Sequence, residues 1–568
     1  MIVLTGEPPV AAQCRSDKFS RDRYFYPQEV IYSIILMDWV PTLLPYRQTG
    51  YFSRIITDYL EQTGELSAFY SHPVSPEGFH AAIGARTRVS TQRKVLVDAL
   101  NEQYAAVAAS PKVSENIARL ADDHTFTVCT AHQPAIFTGH LYFIYKILHA
   151  IRLAEWLQEH HRDKHFVPVF FMGSEDADLD ELGHVWLGDD RLVWDTKQTG
   201  SVGRMNTNGL DKLLYRIEGE LSVQPHGSDL MRLLKTAYLE SPDIQTATFR
   251  LLHSLFGEYG LIVLIADKAL FKRQMISVFE DDLFRQEPTQ IVEKTIGQLN
   301  RHYKVQANPR PINLFYLKDN LRNRIERLGE GFAVVDTPLR FTEEQLREEL
   351  HSHPERFSPN VILRGLFQET ILPNLAFIGG GGETAYWLEL KQLFDRYRMP
   401  FPVLVIRNSF LLVQRQWREK LENAGFGLSD LFRDAGELIN DFVKRESDHT
   451  LSLEGEIAAA NDYYEALKVR TRPVDPTLEQ HVTALQVRAL EPLRTLEKKL
   501  LKAEKRRFGE QQRQLNALKN ALFPHDNLQE RIENFMPWYA AYGPSFIREL
   551  YRHSPALAQE FIVLVERG

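Results

Sequence analysis

Apolar positions follow two rhythms along this chain. Short, nearly continuous runs occur at Phe126–Cys129, Phe166–Met172, Leu261–Ala266, Leu375–Ile378 and Val403–Ile406. Continuous rather than alternating apolarity suits parallel strands covered by helices on both faces. Elsewhere the period lengthens. Ile55, Ile56 and Leu60, and then Val95, Leu96, Val97 and Leu100, recur at helical spacing. The pattern predicts an N-terminal helical layer over 1–122, helical from Pro27, and an α/β core over 123–408 built as a doubly wound, Rossmann-like parallel sheet. The stretch from Met172 to Leu261 is too long for a single crossover, so residues near 190–240 are expected to form an inserted subdomain.

Beyond Asn408 the rhythm is helical almost throughout, defining a third region over 409–568. Leu478, Val482, Leu485, Ala489, Leu493, Leu496, Leu500 and Ala503 step by three or four, and Leu515, Leu518 and Leu522 resume the stripe. Such a seam predicts an α-helical coiled coil, within the chain or between two copies, and so a homodimer is expected. Pro492 is expected to kink or interrupt it. The basic run Arg494–Arg513 reads as a solvated helix face.

Composition narrows the classes. With 568 residues, 44% hydrophobic and 25% charged, the chain is globular and long enough for two to four domains. A net charge of -8, from 67 Lys and Arg against 75 Asp and Glu, offers no overall attraction to nucleic acid or anionic lipid. The apolar stretch Val30–Met37 stops at Asp38, far short of the roughly 20 residues of a spanning helix. Met1–Cys14 lacks a basic start and is broken by Glu7, Pro8 and Pro9, unlike a secretion signal. A cytoplasmic protein is expected. Two cysteines, Cys14 and Cys129, cannot make a disulfide framework or a zinc site, and Cys129 reads as a small buried hydrophobe.

In a doubly wound sheet ligands bind beyond the carboxyl ends of the strands, which directs attention to four tips. The first carries His132, Gln133, Thr138, Gly139 and His140, then Tyr142 and Lys146 on one helical face. Gly139 and the following helix amides can hold a phosphate or carboxylate, or the histidines can simply close the loop. Neither a P-loop nor a dinucleotide fingerprint is present. The second tip places five carboxylates, Glu175, Asp176, Asp178, Asp180 and Glu181, within seven positions. Such crowding calls for solvent, a cationic substrate or a metal. Asp180 and Glu181 suit a helix N-terminus, leaving Glu175 and Asp176 as the catalytic candidates. A hydrolytic metal centre through Asp176, Asp178 and His184 lacks supporting ligand spacing, and no tightly bound metal is expected. At the third tip Gly379–Gly382 precede Glu383 and Trp387, forming either an anion-cradling nest or a plain turn. Just upstream, Asn360, Arg364 and Gln368 recur every four residues, and Arg364 offers a planar fork for a carboxylate. Asp267 marks the fourth tip.

Taken together, these segments resemble the bacillithiol synthase family, BshC. The resemblance rests on His132-Gln133 with Phe137-Thr138-Gly139 and Leu141-Tyr142, on Ser174–Glu181, and on Gly200–Met205. It continues through Ser358–Val361 with Arg364, Gly379-Gly380 with Glu383 and Tyr386-Trp387, and Leu528–Arg531. The chain departs from the family pattern at His132 and His140, which favours Gln133, Thr138, Gly139 and Lys146 over either histidine as carriers of the family's chemistry. The resemblance implies a Rossmann-like core with connecting insertions, similar to the catalytic core of class I aminoacyl-tRNA synthetases, and a dimerising coiled coil. It implies a cysteine ligase acting on cysteine and glucosaminyl-malate, with ATP and Mg2+ as the expected activating co-substrate. For the two malate carboxylates Arg204, Arg364 and Lys146 are suitable partners, while Glu175 or Asp176 can hold an amine or accept its proton, and His132 stays a further catalytic candidate. Another nucleotide-dependent group transferase and a non-catalytic scaffold for thiol-pathway enzymes remain open as alternatives.

Overall fold

The computed structural model describes residues 39–567. Cys14, the Val30–Met37 stretch and the helical pattern expected from Pro27 to residue 38 lie outside the described residues.

Each continuous apolar run becomes a strand of one parallel sheet: β1 (Thr125–His132), β2 (His165–Met172), β3 (Ile262–Ile265), β4 (Asn374–Gly379) and β5 (Val403–Ile406). Their order is β5-β4-β1-β2-β3, all parallel. The chain therefore walks outward from β1 to β3, then returns to place β4 against the other side of β1. Such a reversal of direction opens a crevice at the carboxyl ends of β1 and β4. Burial on both faces explains the composition of the runs, since β4 and β5 are buried throughout and β1 exposes only part of His132. Helix α1 (Leu141–His160) covers β1 and β2.

The N-terminal helices dock on this sheet through specific hydrogen bonds. Ser75 and Ser110 cap the helices Pro76–Arg86 and Pro111–Arg119, each with proline at the first position. Tyr59 donates to the Leu404 carbonyl at 2.7 Å, and the Tyr104 hydroxyl accepts from the Val263 amide at 2.8 Å.

Two insertions interrupt the sheet. Between β2 and β3 a hairpin, His184–Leu187 with Asp190–Val193, leads to helices Leu210–Leu221, Gly227–Leu239 and Ile244–Phe256. Between β3 and β4 lies a five-stranded antiparallel sheet, Arg340–Phe341, Gly331–Val334, Leu321–Leu328, Leu314–Lys318 and Phe357–Pro359 in spatial order. Sequence pattern did not reveal it, because strands such as Leu321–Leu328 (LRNRIERL) are only half covered and carry few apolar residues.

The C-terminal region corrects two expectations. It is not helical almost throughout: Phe410–Val413 and Phe561–Glu566 are strands, joined by Trp39–Leu44 in a separate three-stranded sheet. Pro492 does not interrupt its helix either. After α2 (Val361–Ile371), α3 (Gly381–Leu388) and α4 (Glu454–Thr471), helix α5 runs unbroken from Leu478 to Lys505 with Pro492 inside it, and the break comes at Arg506–Phe508 before α6 (Gly509–Leu522). One proline removes a single backbone bond, and a helix held along its length by α4 tolerates that loss. Of the seam predicted along α5 only Val482 is buried, with Gln486 and Leu490, outside the predicted stripe, packing inward beside it, while Leu485 and Leu496 remain 39% and 46% exposed.

Candidate functional site

A cavity of about 360 Å³ opens at the carboxyl end of the parallel sheet. Every strand contributes to its wall: His132 at the end of β1 and Gln133 after it, Glu175 and Asp176 after β2, Asp267 after β3, Gly380–Glu383 after β4, and Arg407 after β5. Of the residues expected from sequence, His132, Gln133, Tyr142, Glu175, Asp176, Asn360, Arg364, Gly380 and Glu383 line it.

His132 is buried beside the Lys146 charge, and both effects push its imidazole down to about 4. The ring is therefore neutral at physiological pH. Its Nδ1 lies 2.9 Å from the Gln133 carbonyl, which can only accept, so Nδ1 carries the proton. Nε2 is left to accept from the Tyr142 hydroxyl at 3.2 Å. Burial pushes that phenol up to about 12, so it stays a donor.

At the β2 tip, Asp176 accepts from Gln133 Nε2 at 3.0 Å and from the Ala177 amide at 2.7 Å. Glu175 accepts from Lys272, a fully buried ammonium that also bonds Asp267 Oδ1 at 2.9 Å and the Glu355 carbonyl at 3.0 Å. Burial pushes Glu175 up, against the pull of Lys272. Asp267 is held down at about 2: burial would raise it, but Lys272 and Arg204 overcome that effect. Lys272 has no sequence signal, since it sits on a short helix well past the strand tip. Glu181, on the rim, has no hydrogen-bond partner for its carboxylate among the described residues, and burial with the neighbouring Asp178 and Asp176 raises its pKa. Asp178 caps the next helical turn and His184 bonds the Asp180 carbonyl. Among the described residues no group of three or more His, Cys, Asp or Glu side chains is arranged to hold a metal.

Opposite in charge, Arg364 donates to the Tyr386 hydroxyl at 2.6 Å and approaches Gln368 Oε1 at 3.4 Å, but forms no ion pair among the described residues. Asn360 caps α2 through its Oδ1 and bonds Asn313 through its amide nitrogen. Arg407, which directly follows the β5 run, and Arg531 also line the cavity. The strand-tip rule could have found Arg407. It faces the Tyr142 ring at 5.0 Å and is held by a fully buried Glu530.

Seven expected residues stand elsewhere. Lys146 is 1% exposed and spends its charge on Glu383 and the Ala131 carbonyl, each at 2.6 Å, so it is not free for an anion. Arg204 is likewise occupied, in a two-pronged pair with Asp267 at 2.6 and 2.8 Å. Thr138 and Gly139 belong to a loop turned into the protein, where Asn534 bonds the carbonyls of Phe137 and Gly139. At the start of the following helix the Leu141 amide is taken by the Glu533 carbonyl at 2.8 Å and the Phe143 amide by the His140 carbonyl at 3.0 Å, so those helix amides are occupied by the chain itself. Gly379 lies behind the tip against the Phe377 ring. Gln368 is fully buried and bonds Glu369. Trp387 is fully buried, stacked on Phe377 and packed against Phe394 and Phe401, as a core residue rather than a ligand contact.

A parallel sheet with a crevice at its reversal point, lined by opposed charges and neutral polar groups, defines a Rossmann-like small-molecule-binding protein, here joined to a region of long paired helices. The family profile described as "Bacillithiol biosynthesis BshC, N-terminal Rossmann-like domain" matches residues 42–408, and "Bacillithiol biosynthesis BshC, C-terminal coiled-coil domain" matches 410–566. The chain belongs to the BshC family. A relative from Flavobacterium psychrophilum named "Putative cysteine ligase BshC" is 36% identical over 92% of this chain and 98% of its own. A relative of the same name from Flavobacterium johnsoniae is 37% identical over 92% and 99%. Among solved structures, a putative arginyl-tRNA synthetase from Campylobacter jejuni superposes with a TM-score of 0.22 at 9% identity, covering 75% of this chain and 92% of that one. That likeness is too slight to add to the fold. Among the described residues no helix is long and apolar enough to cross a membrane.

Proposed function

We propose that this chain is a ligase that joins the carboxyl carbon of cysteine to the amine of glucosaminyl-malate, the last step in assembling bacillithiol. The observation that carries the reading is a single cavity holding an arginine fork free of any ion pair, Arg364, together with carboxylates at the β2 tip. A substrate with a dicarboxylate at one end and an amine at the other has both complements available there.

Carboxylate and ammonium do not condense in water, so the cysteine carboxylate must first be activated. ATP with Mg2+ is the expected source, giving an acyl phosphate with release of ADP or an acyl adenylate with release of pyrophosphate. The amine then attacks the carbonyl carbon, gives up one proton and expels phosphate or AMP. We assign that proton to Glu181, which lines the same cavity, accepts no hydrogen bond on its carboxylate among the described residues, and is made a stronger base by its raised pKa. Whether ADP or AMP accumulates when cysteine, glucosaminyl-malate and ATP are supplied together distinguishes the two routes, and absence of both would favour the scaffold alternative.

The direct test is Arg364→Lys, which keeps the charge but loses the planar fork. Loss of a charge-assisted hydrogen bond costs on the order of 1.5–3 kcal/mol, or roughly ten- to a hundredfold in affinity. Calorimetric titration of glucosaminyl-malate should register that loss. Unchanged affinity in a folded variant removes Arg364 from the substrate site.

The same proposal includes a homodimer formed by the long helices. Leu478, Leu485 and Leu496, seven and eleven positions apart, lie on one face of α5 and are 36%, 39% and 46% exposed. Light scattering should give about twice the 65.7 kDa chain mass. Leu485→Glu with Leu496→Glu should return the monomer, and a wild-type monomer at micromolar concentration would reject the dimer.

A further inference from the structure

A dicarboxylate needs two cationic partners, and the cavity's arginines are unequally available. Arg407 is fully engaged by Glu530, and Arg531 projects at the rim with no polar contact to fix it among the described residues. Arg322 differs from both. It comes from strand Leu321–Leu328 of the inserted antiparallel sheet, its side chain is only 13% exposed, and it lines the cavity. A guanidinium carries five N–H donors. Here only Nε finds an acceptor, Ser358 Oγ at 3.2 Å, while the nearest carboxylate oxygen, on Asp176, stays 3.8 Å from Nη1, beyond hydrogen-bond reach. The terminal N–H groups of Arg322 find no acceptor on the chain among the described residues and line the cavity, where a ligand oxygen can take them.

Two further features fix the fork. The guanidinium lies over the Phe315 ring at 4.1 Å, and Ser358 belongs to the strand Phe357–Pro359 that runs directly into α2, the helix bearing Arg364. Arg364 is itself set against an aromatic ring, Phe377, at 5.9 Å. One short segment, Ser358 to Arg364, thus ties together two guanidinium groups that line one cavity and donate no hydrogen bond to a carboxylate among the described residues.

We propose that Arg322 is a second carboxylate-binding residue of this cavity, which with Arg364 selects a dicarboxylate over a monocarboxylate. The inference rests on the ligase reading above and assigns the inserted sheet a role in specificity.

The test uses calorimetry on the full chain with malate, lactate and MgATP as probes. Wild type should bind malate more tightly than lactate. Arg322→Gln should weaken malate binding by about ten- to a hundredfold and leave lactate binding nearly unchanged, erasing the preference. Arg322→Lys, which preserves the charge beside Asp176, should fall between the two and guards against a variant that fails to fold. If Arg322→Gln keeps the preference for malate, or weakens MgATP while sparing malate, the assignment of Arg322 is overturned and the reading of Arg364 stands. If wild type shows no preference for malate over lactate, both the assignment and the glucosaminyl-malate reading fall.

Discussion

Replacing Lys272 by methionine is expected to destabilise the protein by about 3–5 kcal/mol, because it removes the single cation shared by two buried carboxylates. Asp267 keeps Arg204, but Glu175 loses the cation that hydrogen-bonds it and retains only the longer-range pull of Arg322 and Arg204. Two like charges then face each other out of water. The sign of the pH dependence follows from Glu175. Already raised in the native protein, its pKa rises further in the variant, so the folded state binds a proton more tightly than the unfolded chain does. The variant is therefore penalised least below the unfolded carboxylate pKa and increasingly as pH rises through the raised native value. Urea denaturation at pH 5 and pH 8 should show a larger gap from wild type at the higher pH. Adding Glu175→Gln should recover part of the loss. A change below about 1 kcal/mol, or a gap that widens at low pH, would show that Lys272 does not hold these carboxylates in place.

The parallel sheet was legible because burial on both faces leaves a strong mark: each nearly continuous apolar run from Phe126 to Ile406 became one of its strands. Strand-tip reasoning then located nine of the expected residues in one cavity without any recognised motif. It failed where side chains are engaged by partners distant in sequence. Lys146 and Glu383 are 237 positions apart, and Arg204 and Asp267 are 63 apart; nothing local distinguishes such a buried pair from two free ligand-binding groups. Trp387 misled for a related reason, since an aromatic just past a glycine-rich tip can turn toward the ligand or the core, and the packing of Phe377, Phe394 and Phe401 decides it. Arg322 and Lys272 were invisible because they arrive from insertions whose half-exposed strands and short helices leave weak periodicity.

Glu530→Gln is expected to cost a similar 3–5 kcal/mol, and its effect should spread to the first tip of the sheet. Glu530 is fully buried and grips Arg407 with both oxygens, at 2.7 and 3.0 Å, while also accepting from the Phe410 amide at 3.3 Å. Burial alone would lower the Arg407 pKa, and Glu530 offsets that; a guanidinium is intrinsically so weak an acid that it stays charged even when the carboxylate is lost. A glutamine of the same shape leaves that charge buried without a counterion. The segment Leu528–Asn534 is otherwise tied by Gln529 to Leu412 of the three-stranded sheet, by the Glu533 carbonyl to the Leu141 amide at the start of α1, and by Asn534 to the Phe137 carbonyl in the loop after β1. These bonds close the loop whose amides would otherwise stand open at the start of α1. Hydrogen exchange should therefore accelerate in Glu530→Gln both at 528–534 and at 137–143, regions about 390 residues apart in sequence. Exchange confined to the C-terminal segment would mean that the loop after β1 holds its shape unaided, and that the coiled-coil region does not support the site through Glu530.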